Sequence, residues 1–320
     1  MTKLVIQIPC YNEENTLEQT LDDLPRELPG LSKIEWLVID DGSTDDSSGV
    51  ASRHGVDHII RLGKNRGLAK AFTAGLEASL KAGADVIVNT DADNQYCAAD
   101  MPLLIAPILA GEAEIVVGHR DTRHFSMAKR AVLWLGSWVV RQVSNTDIPD
   151  APCGFRAISR SAAQRLNVFS EYTYTLETII QAGQKGMAVT SVPIRTNAPL
   201  RPSRLISSLS RYISEAGFTI IRIFMAYRPV RFFVTLGLIA FVPGFLIGCK
   251  FLFEYMRGQG GGHVQSLILA GLLMGTGFVL WLAALISDLI AVNRMYLEEM
   301  NWRLHKLEEH VDGRDDGLRR

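Results

Sequence analysis

The feature that most constrains this chain is a long run without a charged residue, FFVTLGLIAFVPGFLIGC from Phe232 to Cys249, followed by a longer one from Val264 to Ser287. Lys250 can snorkel, which extends the first run to about Tyr255, and each run is then long enough to cross a bilayer. Between them lies MRGQGGGH, whose glycines suit a tight turn. Two buried helices of a soluble core rarely go this long uncharged on every face. The pattern predicts a transmembrane helical hairpin over about 232–255 and 264–287. Arg222, Arg228 and Arg231 precede it and Arg294 and Arg303 follow it, against Arg257 and His263 in the connection. The excess of arginine outside the hairpin places both chain ends in the cytoplasm, as an integral membrane protein.

Leu205 to Pro229 mixes apolar residues and arginines at helical spacing, which fits either an amphipathic helix lying in the membrane interface or a helix packed on the preceding domain. The tail, 294–320, has leucines at 297, 304 and 307 among charges, too few turns for a coiled coil, and its end, DGRDDGLRR, reads as unstructured. Gly237, Gly244 and Gly248 offer a weak small-residue signal for homo-oligomer packing.

The remaining segment, 1–204, is of ordinary domain size. The 320-residue chain has a net charge of −1, so nucleic-acid binding has no electrostatic footprint. Cys10, Cys97, Cys153 and Cys249 lack metal-ligand spacing and read as reduced thiols. Met1, Thr2 and Lys3 lead straight into an apolar run with no signal-peptide pattern, so the catalytic part is expected not to be exported.

Residues 1–204 alternate short apolar runs with helical segments, the pattern of an α/β domain with a mostly parallel sheet. LVIQIP (Leu4–Pro9) runs into CYNEEN, WLVIDDGS (Trp36–Ser43) ends in two carboxylates, and VDHIIRL and DVIVNTDADNQ repeat the theme. Ligands of such sheets bind at the carboxyl ends of strands. Tyr11, Asn12 and Glu13 after the first strand, Asp40 and Asp41 after the second, and Asp91 and Asp93 after the strand at Asp85–Asn89 are therefore candidate ligand contacts. A single loop aspartate is as often a helix cap, but three strand ends together are harder to dismiss. DADNQ offers Asp91, Asp93 and the Gln95 amide at alternating positions, on one side of an extended segment. Such hard oxygen donors select Mg2+ or Mn2+ over zinc. The ion would stabilise the pyrophosphate leaving from a nucleotide sugar.

In order along the chain these residues resemble the family-two glycosyltransferases of GT-A fold, and within them the dolichyl-phosphate mannosyltransferase and bacterial polyprenyl-phosphate glycosyltransferase group. The resemblance implies that Pro9, Tyr11 and Glu13 of IPCYNEEN line the base and ribose pocket. It implies that Asp41 of DDGSTDDS touches the nucleotide, with Asp40 beside it. NRGLAKAFTAG supplies Asn65 and Gly67 near the donor. DADNQ supplies Asp91, Ala92 and Asp93 to the nucleotide sugar, with Asp91, Asp93 and Gln95 at the metal. VGHR resembles a Gly, Ser, Arg strand end with His119 in the serine place, leaving Arg120 to face the phosphates. DAPCGFR carries Cys153 where the family has serine, and keeps Asp150, Gly154 and Arg156. Glu177 of TLE is implied at the donor sugar. RPSRL has Arg204 in place of lysine, so Arg201, Ser203 and Arg204 clamp the donor pyrophosphate or the acceptor phosphate. Asp93, Arg120 and Arg204 are the expected catalytic groups.

A hydroxyl acceptor needs a base, whereas a phosphate monoester is already an anion and needs positioning and cationic screening. The chain lacks the Glu-Asp base pair and the QxxRW motif of many hydroxyl-accepting relatives in the family. Arg120, Arg130, Arg156, Arg201 and Arg204 instead suit two anions in one site, with Arg130, Arg156, Arg201 and Ser203 at the acceptor phosphate. The expected reaction is inverting transfer of a hexose from GDP-mannose or UDP-glucose to undecaprenyl or dolichyl phosphate at the cytoplasmic membrane face. Two alternatives are transfer to a hydroxyl-bearing lipid with Glu177 or Asp150 as base, and a non-catalytic membrane scaffold that binds nucleotide sugars.

Overall fold

The computed structural model describes residues 2–121, 127–144, 146–168, 174–198, 221–222, 224–225, 227–258 and 264–318. The chain divides into two compact units, Met1–Gly217 and Phe218–Arg320.

The first unit is built on β1 (Lys3–Cys10), α1 (Leu17–Asp23), β2 (Lys33–Asp40), α2 (Ser47–Arg53), β3 (His58–Arg61), α3 (Leu68–Lys81), β4 (Val86–Asn89), α4 (Met101–Leu109), β5 (Ile115–Arg120), α5 (Met127–Ser144), β6 (Arg156–Ser159), α6 (Arg160–Arg165), α7 (Thr175–Gln184) and β7 (Val189–Ile194). The strands form one seven-stranded sheet in the order β3-β2-β1-β4-β6-β5-β7. β1, β2 and β4 are near-continuous apolar runs because both faces are covered. Leu4, Val5, Ile6, Ile8, Val38, Ile39, Ile87 and Val88 are fully buried. α3 packs across β1 and β2, and α4 across β5 and β6.

The sheet is mixed. β6 runs antiparallel to β4 and β5, while the pairs β1–β2, β2–β3, β1–β4 and β5–β7 are parallel. β6 starts at Arg156, opposite Asn89 at the end of β4. The reversal therefore brings the DAPCGF loop to the sheet edge where β1, β2 and β4 finish. Strand order reverses between β1 and β4, with β2 and β3 on one side and the later strands on the other, and a crevice opens at such a switch point.

The second unit is a helical pair, α8 (Pro229–Met256) and α9 (Val264–Leu318). Each carries a candidate membrane span with mean hydropathy 2.3 and 2.2, of which only 11% and 17% is buried. A core helix of a soluble protein would be mostly buried, and these largely uncovered apolar faces fit membrane association instead. Gly237 and Gly244 face the other helix of the same pair. A Cβ on Gly237 would lie 2.4 Å from Trp281 Nε1, and one on Gly244 would lie 2.8 Å from Leu273 Cβ. These two glycines serve packing within the hairpin. α9 also runs on through the charged tail to Leu318, including most of DGRDDGLRR, where an unstructured end was expected. Its alternating charges permit i,i+4 pairs such as Glu299–Arg303 at 2.9 Å.

Candidate active site

Loops at the carboxyl ends of the parallel strands are tied to each other by side chains. Asn12, at φ 53°, donates its N–H to Ser43 Oγ (3.0 Å) and accepts the Thr44 N–H on Oδ1 (2.8 Å). The Glu13 N–H reaches Ser47 Oγ at 2.9 Å, so the loops after β1 and β2 form one wall. Pro9 is buried within β1, Tyr11 is 37% exposed at its end, and Glu13 is buried with its carboxylate accepting from Thr16 Oγ1 at 2.8 Å.

Asp40 is fully buried and caps its own loop, accepting the Ser43 N–H at 2.7 Å and the Ser48 hydroxyl. It works beneath the wall rather than on its surface. Asp41 accepts the N–H groups of Arg66 and Gly67, each at 2.8 Å, while Asn65 Oδ1 accepts from the Gly67 N–H at 3.0 Å. That pins the residue before α3. Gly42, at φ +74°, allows the approach, since a Cβ there would lie 2.6 Å from the Lys64 carbonyl carbon.

After β4 the carboxylate loop turns rather than extends. Asn94 adopts φ 53°, held by Asp23 Oδ2, which accepts from its Nδ2 at 2.8 Å, and by Asn197 Nδ2, which donates to its carbonyl at 3.0 Å. The Ala92 carbonyl accepts the hydroxyls of Thr16 (3.0 Å) and Thr20 (3.1 Å), which ties this loop to α1. Gln95 Nε2 donates to Asp93 Oδ2 at 2.8 Å, so its amide braces the neighbouring carboxylate. Burial first and the Asp93 charge second push the Asp91 carboxyl up to about 6, against a hydrogen bond from Tyr96 and the charges of Arg120 and Arg156. Two carboxylates in mutual repulsion are stabilised by a cation. Mg2+ is commonly bound through one or two carboxylates plus substrate phosphates and water, and Asp91 with Asp93 fit that donor set. Among the described residues no group of three or more His, Cys, Asp or Glu side chains gathers as a complete cage.

Arg120, at the end of β5, donates Nε to Asp150 Oδ2 (2.7 Å) and NH2 to Asp150 Oδ1 (2.9 Å). The pair lines a cavity of about 540 Å³ with His119, Asp121, Pro149, Pro193 and Ile194. Burial opposes the guanidinium's charge, but Asp150 more than offsets it and raises its pKa. Both carboxylate oxygens of Asp150 thus accept from Arg120.

Arg156 is a correction to the sequence reading. It has no exposed surface, and its guanidinium donates to the carbonyls of Thr175, Ala151 and Cys153 and to Thr178 Oγ1. In this arrangement it holds the DAPCGF loop to α7 and does not reach an external phosphate. Glu177 lies buried in the first turn of α7, within 3.4 Å of Gln181 Nε2. Arg130 stands exposed on α5, and Arg201, Ser203 and Arg204 lie outside the described residues.

Sequence reasoning missed a buried polar core beneath the crevice. Gln7 Nε2 donates to Asn89 Oδ1 (2.9 Å), and Asn89 Nδ2 donates to the Gly154 carbonyl and the Tyr174 hydroxyl (2.9 Å each). Tyr96 Oη accepts the Gly154 N–H at 3.0 Å. Gln7 and Asn89 interrupt otherwise apolar strands, and that was the available signal.

A Rossmann-like wall on one side of a switch point, a carboxylate pair at its centre and an anchored arginine opposite describe a nucleotide-sugar fold of GT-A type. The family model for glycosyl transferase family 2 matches residues 5–166, and the chain belongs to that family. It is similar to the undecaprenyl-phosphate mannosyltransferase of Micrococcus luteus, 26% identical over 58% of this chain and 80% of that protein. It is similar also to the UDP-N-acetylglucosamine–dolichyl-phosphate N-acetylglucosaminyltransferase of Methanococcus voltae, 26% identical over 59% and 83%. The fold matches glucosyl-3-phosphoglycerate synthase from Mycobacterium tuberculosis, with a TM-score of 0.55 at 20% identity over 68% of this chain and 80% of that one.

Proposed function

We propose that this protein transfers a hexose from a nucleotide sugar to a polyprenyl phosphate at the cytoplasmic face of a membrane, with inversion at the sugar carbon. The observation that carries the reading is the carboxylate pair Asp91 and Asp93 set near Arg120, itself locked to Asp150, on a chain with two candidate membrane spans. The two relatives named above share a polyprenyl-type phosphate in their names and differ in the sugar. The acceptor class is thus what they have in common, and the sugar is a matter of pocket shape.

In this reading the wall made by Tyr11, Glu13, Asp41, Asn65 and Gly67 receives the nucleoside. Asp91 and Asp93, braced by Gln95, would hold a Mg2+ or Mn2+ ion, which would supply positive charge to the donor pyrophosphate. Glu177 faces the sugar. Arg120, with Arg130, Arg201, Ser203 and Arg204, brings the acceptor phosphate alongside the donor. An acceptor phosphate oxygen then bonds to the anomeric carbon as the bond to the pyrophosphate oxygen breaks, and the nucleoside diphosphate leaves with the electron pair. No proton has to be removed from the nucleophile, which agrees with Asp150 being committed to Arg120. The excess of arginines flanking the spans favours a cytoplasmic site.

The test is transfer from radiolabelled GDP-mannose, UDP-glucose and UDP-N-acetylglucosamine to undecaprenyl or dolichyl phosphate in detergent, with and without Mg2+ or Mn2+. An acid-labile labelled lipid that forms only with metal is expected. Label passing instead to a diacylglycerol, without any phosphorylated lipid, would overturn the acceptor assignment.

A further inference from the structure

Tyr96 ends the carboxylate loop and buries its side chain beneath it, where the ring stacks on Phe155 with centroids 5.3 Å apart and planes 9° from parallel. Its backbone is clamped as well. Tyr96 bridges Thr196 in antiparallel fashion, Asn197 Nδ2 donates to its carbonyl at 3.3 Å, and the Cys97 N–H reaches the Arg195 carbonyl at 3.2 Å. Arg195 in turn donates NH2 to Asp100 Oδ1 at 2.6 Å. A phenol has one proton to give and lone pairs to receive. This one accepts the Gly154 N–H at 3.0 Å and gives its proton to the Asp91 carboxylate.

Gly154 belongs to a loop that also holds Arg120. The Cys153 N–H closes a turn onto the Asp150 carbonyl at 3.1 Å, and the Asp150 carboxylate accepts from the side chain and the backbone N–H of Arg120. From below, the Arg156 guanidinium donates to the carbonyls of Ala151 and Cys153, and Asn89 Nδ2 donates to that of Gly154 at 2.9 Å. The Gly118 N–H fastens the Phe155 carbonyl to β5 at 2.8 Å. Residues 150–156 thus form a braced bracket with Arg120 at one end. Through the Gly154 N–H and the Tyr96 hydroxyl, Asp91 is attached at the other.

We propose that Tyr96 is a positioning residue whose hydroxyl sets the Asp91 carboxylate against this bracket, so that the metal carboxylate and Arg120 are held in register with each other. The inference rests on the proposed metal role of Asp91 and extends it to the residue that braces that carboxylate. A Cβ on Gly154 would lie 3.1 Å from both Asp91 oxygens and from Tyr174 Oη, so the carboxylate lies directly against the Gly154 peptide. A phenylalanine at 96 would fill the same space and keep the stack, but it would leave the Gly154 N–H and Asp91 without their shared partner. Outer partners of a ligating side chain govern about ten- to hundredfold of metal affinity, which separates a positioning hydroxyl from one that merely satisfies a buried N–H.

The experiment is Mn2+ binding to the full chain in detergent, read from the electron paramagnetic resonance of free Mn2+, for the wild type and Tyr96→Phe. The substitution leaves the net charge unchanged. Expected is a Kd raised about tenfold with the number of sites per chain preserved. An unchanged Kd would overturn the positioning role, and so would a fall in the number of sites at wild-type Kd, which marks lost folding alone. A wild type that binds no Mn2+ would overturn the metal reading and the inference with it. Because Tyr96→Phe strands a buried N–H, the same link is also tested without a substitution, by hydrogen exchange of the wild type with and without Mn2+ and in the absence of any substrate. The amides of 150–156 and the Arg120 N–H are expected to exchange several-fold more slowly with Mn2+ bound. Exchange across this bracket that saturating Mn2+ does not move would overturn the proposal.

Discussion

Arg120 and Asp150 hold each other in a bidentate pair, with Nε to Oδ2 at 2.7 Å and NH2 to Oδ1 at 2.9 Å, and the Arg120 backbone N–H also points to Oδ2 at 3.2 Å. The two residues belong to different sheet-edge loops, so the pair fixes the guanidinium plane against the cavity wall. Asp150→Asn keeps the size but removes the charge and one matched acceptor. Loss of a charge-assisted pair is worth about 1.5–3 kcal/mol, so kcat/KM is expected to fall about ten- to hundredfold. Steady-state kinetics with both substrates checks this, and an unchanged rate would detach Arg120 from the reaction.

Asp93→Asn leaves Asp91 with half of the metal site. Transfer is expected to fall by a factor on the order of a thousand, with Mn2+ binding weakened in parallel. Electron paramagnetic resonance of free Mn2+ reads the binding separately from turnover. Wild-type Mn2+ affinity in this variant would remove Asp93 from the metal site.

The Asp91 carboxyl, pushed up to about 6 by burial and by Asp93, binds a proton in competition with the cation. A raised carboxyl is neutral below that pH and anionic above it. Apparent Mn2+ affinity is therefore expected to be steady above pH 6 and to fall as pH drops through it, by about tenfold per unit for one displaced proton. A titration at pH 5, 6 and 7 measures it, and in Asp93→Asn the break should move to lower pH because the repelling charge is gone.

Asn89→Ala would strand Gln7 Nε2, the Gly154 carbonyl and the Tyr174 hydroxyl in a buried place. Each unsatisfied group costs about 1–3 kcal/mol, so a clear drop in thermal midpoint is expected, measured by scanning fluorimetry in detergent. Asn89 touches no proposed ligand, yet the DAPCGF loop and Asp91 rest on it through Gly154. Gly154→Ala tests the same link from above, since its Cβ would lie 3.1 Å from both Asp91 carboxylate oxygens. It is expected to lose metal binding with little loss of thermal stability.

At the other edge of the sheet, Glu35 is held down to about 2: burial pushes it up, but hydrogen bonds from Lys3, Lys33 and His58 outweigh that. Because its folded pKa lies below the unfolded value, its contribution to stability is present above pH ~4.3 and is lost as pH falls toward 2. Glu35→Gln should therefore narrow the stability gap between pH 7 and pH 3 by about 1 kcal/mol or less for so solvent-screened a cluster, read from urea midpoints at the two values.

The sequence by itself determined the alternation of strands and helices, the position of the carboxylates at strand ends and the two long apolar helices, because these follow from local periodicity and from the absence of charge. It also set Asp91 and Asp93 within one short loop after β4, since they are two residues apart. What only the tertiary structure decided is which of the motif residues face the crevice. Asp40 and Asp41 lie one residue apart at the end of one strand, yet the first caps its own loop and the second pins the start of α3. Arg120 and Arg156 both read as phosphate contacts, but Arg156 opens the antiparallel β6 and lies in the core, where its NH1 and NH2 donate to the carbonyls of Thr175, Ala151 and Cys153 and to Thr178 Oγ1. The outward-facing tryptophans of α5 belong to the same class. Helical spacing reveals that α5 has two faces, but the burial of Val140 and Val143 against the domain decides which of them meets the outside. Such choices depend on contacts between residues tens of positions apart, and local pattern carries no information about them.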